Sequence, residues 1–169
     1  AWNRSAMEQT KTRRGRLTQK ATTGEQGSQL EMVQRLELSF EDFCKIKAHC
    51  DNRGIMFLST PFDFESVDFL DELNVAAFKI SSGDLTNHPL LRHVANKRRP
   101  VMLSTGMSDL SEVREALDVL RSTGNHQIIL LQCITNYPAS AEDVNLKAML
   151  TMRAAFDVNV GYSDHTPGI

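Results

Sequence analysis

In the stretch Phe78-Lys79-Ile80-Ser81-Ser82-Gly83-Asp84, a short apolar strand runs directly into polar residues. The apolar segment covers residues 76–80 and carries a lysine next to its last residue. Two serines, a glycine and an aspartate follow at once, which is too much polarity for a strand that continues through a core. The pattern predicts the end of a buried strand that opens onto a functional site.

The same pattern occurs at four other places along the chain. Apolar segments predict strands at 55–58, 101–103, 128–131 and 158–160. The polar residues that follow them are Ser59-Thr60-Pro61-Phe62, Ser104-Thr105-Gly106-Met107, Gln132 to Tyr137, and Gly161-Tyr162-Ser163-Asp164-His165. Amphipathic helices are predicted between the strands, at 63–73, 89–97, 108–120 and 144–156. This alternation predicts a parallel sheet that is buried on both faces.

Two α/β architectures fit the alternation: a (β/α)8 TIM barrel and an open doubly wound sheet. A barrel builds its active site from the carboxyl ends of many strands, whereas an open sheet binds ligands near one topological switch point. Polar residues at five consecutive strand ends favour the barrel. A complete barrel usually has about 250 residues, and this chain has 169. We therefore expect a partial barrel with parallel strands and outer helices.

Two further helices are predicted ahead of the first strand. The first covers about residues 28–36, where apolar residues recur at helical spacing. The second begins after Ser39 as its N-cap, runs to about Asn52 and ends at Gly54. Residues 1–30 show little periodicity, and we expect residues 1–18 to form a basic arm apart from the barrel segment at 19–169.

The composition limits the classes of partner. The net charge of -2 gives no general reason to expect nucleic acid or an anionic membrane. The first 20 residues nevertheless hold six basic residues against one acidic residue. Such an arm fits a phosphate contact, a targeting peptide or an ordinary solvated terminus.

The cysteines and the apolar runs bear on the compartment. Cys44, Cys50 and Cys133 form neither a CxxC pair nor a zinc spacing, and a sparse, odd count fits a reducing compartment. No run has the length and apolarity of a membrane helix or of a signal-peptide core. We therefore expect a soluble cytoplasmic protein.

Lys79 has three possible roles at its strand end: a Schiff-base nucleophile, a ligand of phosphate, or an ordinary surface or salt-bridged lysine. Hydroxyl groups at corresponding strand ends, from Thr60, Ser82 and Ser104, favour a bound phosphate or carboxylate. The nearby glycines belong to neither a dinucleotide-binding fingerprint nor a Walker loop.

His165 follows the last predicted strand, within Ser163-Asp164-His165-Thr166. An imidazole in that place serves as a metal ligand, as an acid or base, or as a structural residue. The chain has no HxH or HExxH spacing, so any metal site needs ligands from elsewhere.

Six segments taken together carry a family resemblance. They are Ser28-Gln29-Leu30-Glu31-Met32, Leu58 to Phe62, Phe78 to Asp84, Leu103 to Met107, Asn136-Tyr137-Pro138-Ala139 with Glu142 to Leu146, and Gly161 to Thr166. In this order and spacing, over residues 19–169, they resemble the N-acetylneuraminate (sialic acid) synthase family. On that resemblance the chain holds about the third to seventh strands of the family's barrel.

The resemblance implies a transferase that condenses phosphoenolpyruvate with an N-acetylated amino sugar such as N-acetylmannosamine. The products are a nine-carbon 2-keto acid and phosphate, the cofactor is Mn2+ or Mg2+, and the full-length parent is a homodimer. By position, the implied catalytic residues are Lys79 and His165, and His165 is also the implied metal ligand. The implied substrate-binding residues are Thr60, Lys79, Ser82, Ser104 and Ser163 for phosphoenolpyruvate, with Thr135 and Tyr137 for the sugar.

The chain departs from the family pattern at both ends. The acidic motif of the family's first strand, the Lys-Phe-Gln motif of its second, a second metal histidine and the C-terminal antifreeze-like domain have no counterpart in it. Two alternatives therefore stay open: an inactive fragment that only binds phosphorylated ligands, and a barrel aldolase that uses Lys79 as a Schiff base.

Overall fold

The computed structural model describes residues 34–167 of the chain. The chain divides into two compact units, with the division after Ile55. The expected basic arm at 1–18 lies outside the described residues. So does most of the helix predicted at 28–36, of which only residues 34–36 are described, and these are helical.

Helix α1 (Phe40–Asn52) belongs to the first unit and has the predicted ends. Ser39 is the N-cap, and its hydroxyl accepts a hydrogen bond from the backbone N–H of Asp42 at 3.2 Å. The Asp42 carboxylate reaches back to the Ser39 backbone, which completes a capping box. Gly54 has a φ of 66°, a left-handed conformation that ends helices and that glycine adopts without steric cost.

The second unit contains one sheet of four parallel strands. The strands are β1 (Phe78–Ile80), β2 (Val101–Ser104), β3 (Ile128–Gln132) and β4 (Asn159–Tyr162), paired in the order β1-β2-β3-β4. The helices of this unit are α2 (Phe64–Glu72), α3 (His88–Asn96), α4 (Leu110–Arg121) and α5 (Lys147–Phe156). None of the helices in residues 34–167 has the length and apolarity needed to span a membrane.

The strand order separates the two candidate architectures. The spatial order of the four strands follows the order of the chain, so the described sheet contains no reversal of the kind that marks a doubly wound fold. Because crossovers between parallel strands are right-handed, successive helices lie on the same face of such a sheet. This arrangement is that of a barrel segment.

The two faces of the sheet differ in burial, as a barrel segment requires. The outer face is fully buried by the helices and includes Phe78, Ile80, Leu103 and Leu130. The inner face alternates with it along each strand and is only partly buried in this chain. Its residues include Lys79, Met102, Ile129, Leu131 and, at the end of β2, the buried Ser104. Lys79 pairs with Met102 and Met102 pairs with Ile129, which places these three side chains in one row.

The structure corrects the prediction of a strand at 55–58. Residues 55–60 have no regular secondary structure, and no strand within residues 34–167 pairs with them. Phe57 is buried, but Met56 is 67% exposed. An apolar sequence favours a strand only where a neighbouring strand supplies hydrogen bonds, so the described sheet has four strands where five were expected.

The helix starts are corrected in two places. Helix α4 begins at Leu110 because Asp109, rather than Ser108, accepts hydrogen bonds from the backbone N–H groups of Ser111 and Glu112, at 2.8 and 3.0 Å. Helix α5 begins at Lys147, three residues after its predicted start. Val144 lies before it as a buried loop residue whose carbonyl accepts a hydrogen bond from the Gln132 side chain at 3.2 Å.

Candidate active site at the carboxyl edge of the sheet

The carboxyl ends of the four parallel strands meet at one edge of the sheet. Because Lys79 pairs with Met102, Ser104 lies on the same inner face as Lys79, two residues nearer the edge. Backbone hydrogen bonds keep the strand ends aligned beyond the ladder. Thr105 N–H donates to the carbonyl of Leu131 at 3.0 Å, and Ser163 N–H donates to the carbonyl of Gln132 at 2.8 Å.

A short 3-10 turn (Ser82–Asp84) follows β1 and positions Ser82. Within the turn, the Ser81 hydroxyl donates to the Asp84 carboxylate at 2.7 Å, and Asp84 N–H donates to the Ser81 carbonyl at 3.1 Å. Across the sheet edge, the Ser82 hydroxyl accepts a hydrogen bond from Gly106 N–H at 2.9 Å. The loop after β1 is therefore tied to the loop after β2.

Cys133 approaches the same hydroxyl from the end of β3. Its Sγ lies 3.1 Å from Ser82 Oγ, and the residue is 4% exposed. We call Ser82, Ser104, Gly106 and Cys133 the serine cluster. Sequence reasoning singled out the two serines as candidate site residues but not Gly106 or Cys133. In the sequence, Gly106 and Cys133 stand out only as members of the polar runs after β2 and β3. Local patterns do not predict their contacts with Ser82, because these contacts join residues 24 and 51 positions apart.

Ser104 carries a buried hydroxyl group that has no hydrogen-bond partner in the described part of the chain. The residue is only 2% exposed. A buried hydroxyl without a hydrogen bond costs about 1–3 kcal/mol in proteins. A polar ligand at this edge would supply the missing interaction.

Lys79 offers a positive charge on the same face. The residue is half-buried within β1, and its ammonium group makes no hydrogen bond or ion pair with any other residue in 34–167. Lysine is rarely buried without an ionic or hydrogen-bonded partner. The ammonium group thus keeps its hydrogen-bonding capacity free among the described residues.

The histidine cluster consists of Tyr137, Ser163 and His165. The Nε2 atom of His165 lies 3.2 Å from the Tyr137 hydroxyl and 3.4 Å from the Ser163 hydroxyl. The two rings have centroids 4.3 Å apart and are tilted by 51°. Tyr137 is 55% exposed, and its partial burial raises the pKa of the phenol.

The structure does not bring every predicted residue into these contacts. Thr60 is half-buried in the irregular segment before α2, and Thr135 is exposed in a bend after β3. Neither side chain forms a hydrogen bond with another of the described residues. Their predicted roles in substrate binding remain predictions.

The described residues do not by themselves fit a complete divalent metal site. Residues 34–167 contain no group of three or more His, Cys, Asp or Glu side chains that could hold an ion. His165 supplies one imidazole. The neighbouring Asp164 carboxylate already accepts hydrogen bonds from Tyr162 and from Thr166, at 2.9–3.0 Å.

Comparison with known proteins identifies the family. The NeuB family model matches residues 3–169. This chain belongs to the NeuB family. The membership confirms the resemblance drawn from the six sequence segments, and the match begins ahead of the first of them.

Similar proteins come from distant organisms. The chain is 50% identical over 150 residues to the N,N'-diacetyllegionaminic acid synthase of Campylobacter jejuni, which covers 88% of this chain and 45% of that protein. It is 35% identical over 140 residues to the human N-acetylneuraminate-9-phosphate synthase, which covers 82% of this chain and 39% of that protein. The chain thus spans less than half the length of these curated relatives.

A solved structure supports the fold. The crystal structure of N-acetylneuraminic acid (sialic acid) synthetase from Leptospira borgpetersenii, in complex with citrate, superposes with a TM-score of 0.81 at 32% identity. The superposition covers 90% of this chain and 53% of that chain. The family match and this likeness confirm the partial (β/α)8 barrel that the strand order and the two faces of the sheet indicate.

Proposed function

We propose that this NeuB-family chain forms part of a synthase that condenses phosphoenolpyruvate with the open-chain aldehyde of an N-acetylated amino sugar. The products are a nine-carbon 2-keto acid and phosphate. The observation that carries the proposal is the placement of Lys79 and the buried Ser104 hydroxyl on the same face of the sheet. Both lie on the inner face at the carboxyl edge, and neither side chain has a polar partner in the described residues.

Phosphoenolpyruvate suits this face because it carries several negative charges. The Lys79 ammonium forms charge-assisted hydrogen bonds to its phosphate or carboxylate, and these are roughly twice as strong as neutral ones. Ser82, Ser104 and Ser163 add hydroxyl donors from three strand ends. Hydrogen-bond donors that the sheet holds in place need not reorganise during the reaction. They can therefore stabilise the negative charge that develops in the transition state.

The proposed reaction forms one carbon–carbon bond. The enol carbon of phosphoenolpyruvate attacks the aldehyde carbon, and the neighbouring carbon acquires oxocarbenium character. Water adds to that carbon and loses one proton, which balances the proton that the former aldehyde oxygen takes up to become a hydroxyl. Phosphate then leaves from the tetrahedral intermediate as its carbon–oxygen bond breaks. In this scheme Lys79 and the serine hydroxyls hold the anionic groups, while Tyr137 and Thr135 contact the sugar.

His165 is the one residue that the proposal assigns as a metal ligand. Mn2+ or Mg2+ bound there would need further ligands, because the described residues bring no group of three or more His, Cys, Asp or Glu side chains together around His165. No step is therefore assigned to the metal. The relatives named above differ in their products, so we propose the class of amino sugar rather than one sugar, and a cytoplasmic location remains part of the proposal.

A second candidate is a binding segment without turnover. The open edges of the sheet favour this candidate. Among the described residues, β1 and β4 each pair with a neighbouring strand on one side only, so the described strands do not close into a barrel. Such a segment would bind phosphoenolpyruvate through Lys79 and the serines without completing the sugar site.

A phosphate-release assay with the purified chain, phosphoenolpyruvate, N-acetylmannosamine and Mn2+ tests the proposal, beside thermal melts with and without phosphoenolpyruvate. Release that requires both substrates supports the synthase. A cooperative melt that phosphoenolpyruvate shifts, without release, supports the binding segment. A cooperative melt that phosphoenolpyruvate leaves unchanged contradicts both, and borohydride trapping of a carbonyl compound on Lys79 would support a Schiff-base aldolase.

A further inference from the structure

The Ser82 hydroxyl receives two neighbours from separate strand ends, and this arrangement limits where its proton can point. A serine hydroxyl has one O–H donor and two acceptor lone pairs. Gly106 N–H occupies one lone pair at 2.9 Å. Cys133 Sγ lies 3.1 Å away, where either atom can be the donor.

We infer that Cys133 is a positioning residue for Ser82, and that its S–H, together with Gly106 N–H, directs the single Ser82 proton toward an anionic oxygen of the ligand. The inference rests on the proposed function, because it assigns a hydrogen-bond direction within the phosphoenolpyruvate site. Cys133 itself does not touch the ligand in this scheme; it acts through Ser82.

The direction follows from the relative strength of the two acceptors. A thiol sulfur is a weak acceptor, whereas a phosphate or carboxylate oxygen is a charged and strong one. When such an oxygen binds, the Ser82 O–H turns to it. The Cys133 S–H then donates into the second lone pair of Ser82 Oγ, so every hydrogen-bonding position of the hydroxyl is used.

The surroundings of Gly106 show that the loop after β2 packs tightly against Cys133. A Cβ added at Gly106 would lie 2.8 Å from both the carbonyl oxygen and the Sγ of Cys133, which is closer than Cβ contacts in proteins come. The absence of a side chain therefore lets the β2 end approach Cys133. Thr105 anchors this approach, because its N–H and hydroxyl both donate to the Leu131 carbonyl, at 3.0 and 3.2 Å.

Two further observations connect the contact to a ligand. Cys133 is 4% exposed, so bulk water does not compete for the Ser82 hydroxyl from that side. Ser104, two residues before Gly106, has the buried hydroxyl without a partner in residues 34–167. A buried polar group without a partner needs an explanation such as a bound ligand, and Ser104 lies at the same carboxyl edge of the sheet as Ser82.

Calorimetric titration of phosphoenolpyruvate into the full 169-residue chain tests the inference with matched variants. Ser82→Ala should weaken binding about 10-fold or more, since it removes a hydrogen bond to a charged group. Cys133→Ala should weaken it about 3- to 10-fold, and Cys133→Ser, which restores a donor, should recover most of the affinity. Cys44→Ala, at an exposed cysteine of α1, is the control and should bind like the unmodified chain.

Infrared difference spectra report on the hydrogen bond of the thiol itself. A purely structural role of Cys133 would not change the frequency of its S–H stretching band when the ligand binds. The S–H stretching band that is lost in Cys133→Ala should shift to lower frequency when phosphoenolpyruvate is added, because the thiol becomes a hydrogen-bond donor. In Ser82→Ala at saturating phosphoenolpyruvate the same band should not shift.

The possible outcomes separate this inference from the proposed function. Binding that Ser82→Ala weakens, while Cys133→Ala binds like the unmodified chain and the S–H band stays in place, overturns the role of Cys133 and leaves the proposed function intact. A folded chain that does not bind phosphoenolpyruvate overturns both. Weakening by Cys133→Ala that Cys133→Ser does not relieve also counts against the inference, because it points to lost packing instead of a lost donor.

Discussion

The serine cluster and the histidine cluster lie at the ends of neighbouring strands, yet they are held in different ways. In the serine cluster a backbone N–H and a buried thiol fix the Ser82 hydroxyl, at 2.9 and 3.1 Å. In the histidine cluster His165 contacts two hydroxyl groups at 3.2 and 3.4 Å, and one of them belongs to the largely exposed Tyr137.

The difference indicates which part of the site is ready before substrate binds. Groups fixed by backbone and by a packed core lose little conformational entropy on binding, so the serine cluster is preorganised for an anion. The histidine cluster depends on side chains that can still rotate. Substitutions in the serine cluster should therefore change both stability and phosphoenolpyruvate affinity, in the same or in opposite directions, while those near His165 should have smaller effects on folding.

The largest effect is expected at Lys79, which supplies the charge for the preorganised side. Lys79→Ala should weaken phosphoenolpyruvate binding by about 10- to 100-fold, since hydrogen bonds to charged groups contribute about 1.5–3 kcal/mol. Calorimetric titration measures the change. Lys45→Ala is the control, because Lys45 forms only exposed ion pairs with Glu41 and Asp42 on α1. If the two variants bind phosphoenolpyruvate with equal affinity, Lys79 does not contribute to the binding site.

Gly106→Ala should disrupt the serine cluster directly. Its Cβ would meet the Cys133 backbone and Sγ at 2.8 Å, and overpacking of this kind lowers the free energy of unfolding by about 1–3 kcal/mol. Urea denaturation measures the loss. Gly83→Ala, where the nearest atom is 3.7 Å away, is the matched control and should be close to neutral. Equal stability of the two variants would mean that the contact is not tight in solution.

Ser104→Ala should separate stability from function within the same cluster. Removing a buried hydroxyl that has no partner in the described residues should raise the free energy of unfolding by about 1 kcal/mol. The same variant should bind phosphoenolpyruvate more weakly. Urea denaturation tests whether the free energy of unfolding rises, and calorimetry on the same preparation tests whether the affinity falls. A variant that loses stability without losing affinity would contradict the account.

The smallest effect is expected beside the histidine cluster, at Asp164. Hydrogen bonds from the Thr166 backbone and hydroxyl lower the pKa of this carboxyl below its ordinary 3.8. A lowered folded-state pKa means that the carboxylate stabilises the fold above the unfolded-state pKa, and that this contribution is lost as the pH falls through the folded-state value.

Asp164→Asn should therefore reduce the fall in melting temperature between neutral and acidic pH. Asp118→Asn, which removes an exposed carboxylate of α4, is the control variant. If both variants follow the profile of the unmodified chain, the turn after β4 does not depend on the Asp164 carboxylate.

Local patterns predicted the fold where short-range chemistry decides it. Ser39 and Gly54 bound α1 as expected, because capping and a left-handed turn depend on a few adjacent residues. The segment 55–58 was predicted as a strand and is not one in the structure. Its apolar residues fit a strand, but pairing depends on a neighbour that the local sequence does not specify.

The candidate site was predicted in part for the same reason. Polar residues at strand ends indicated Lys79, Ser82, Ser104 and His165 as candidates, since parallel strands bring their carboxyl ends together. The contact of Ser82 with Cys133 was not predictable from spacing, because the two residues are 51 positions apart and meet only through the register of the sheet. A glycine in Ser104-Thr105-Gly106 also gives no sign of the thiol it packs against.

Amide chemical-shift mapping by NMR tests the central claim most directly, with phosphoenolpyruvate titrated into the isotope-labelled chain. The account predicts that the largest shifts occur at Ser82, Ser104 and Gly106, with smaller shifts at Ser163 and His165. Largest shifts at the amino edge of the sheet, near Asn159, or a folded chain without shifts, would contradict the assignment of the serine cluster as the anion site.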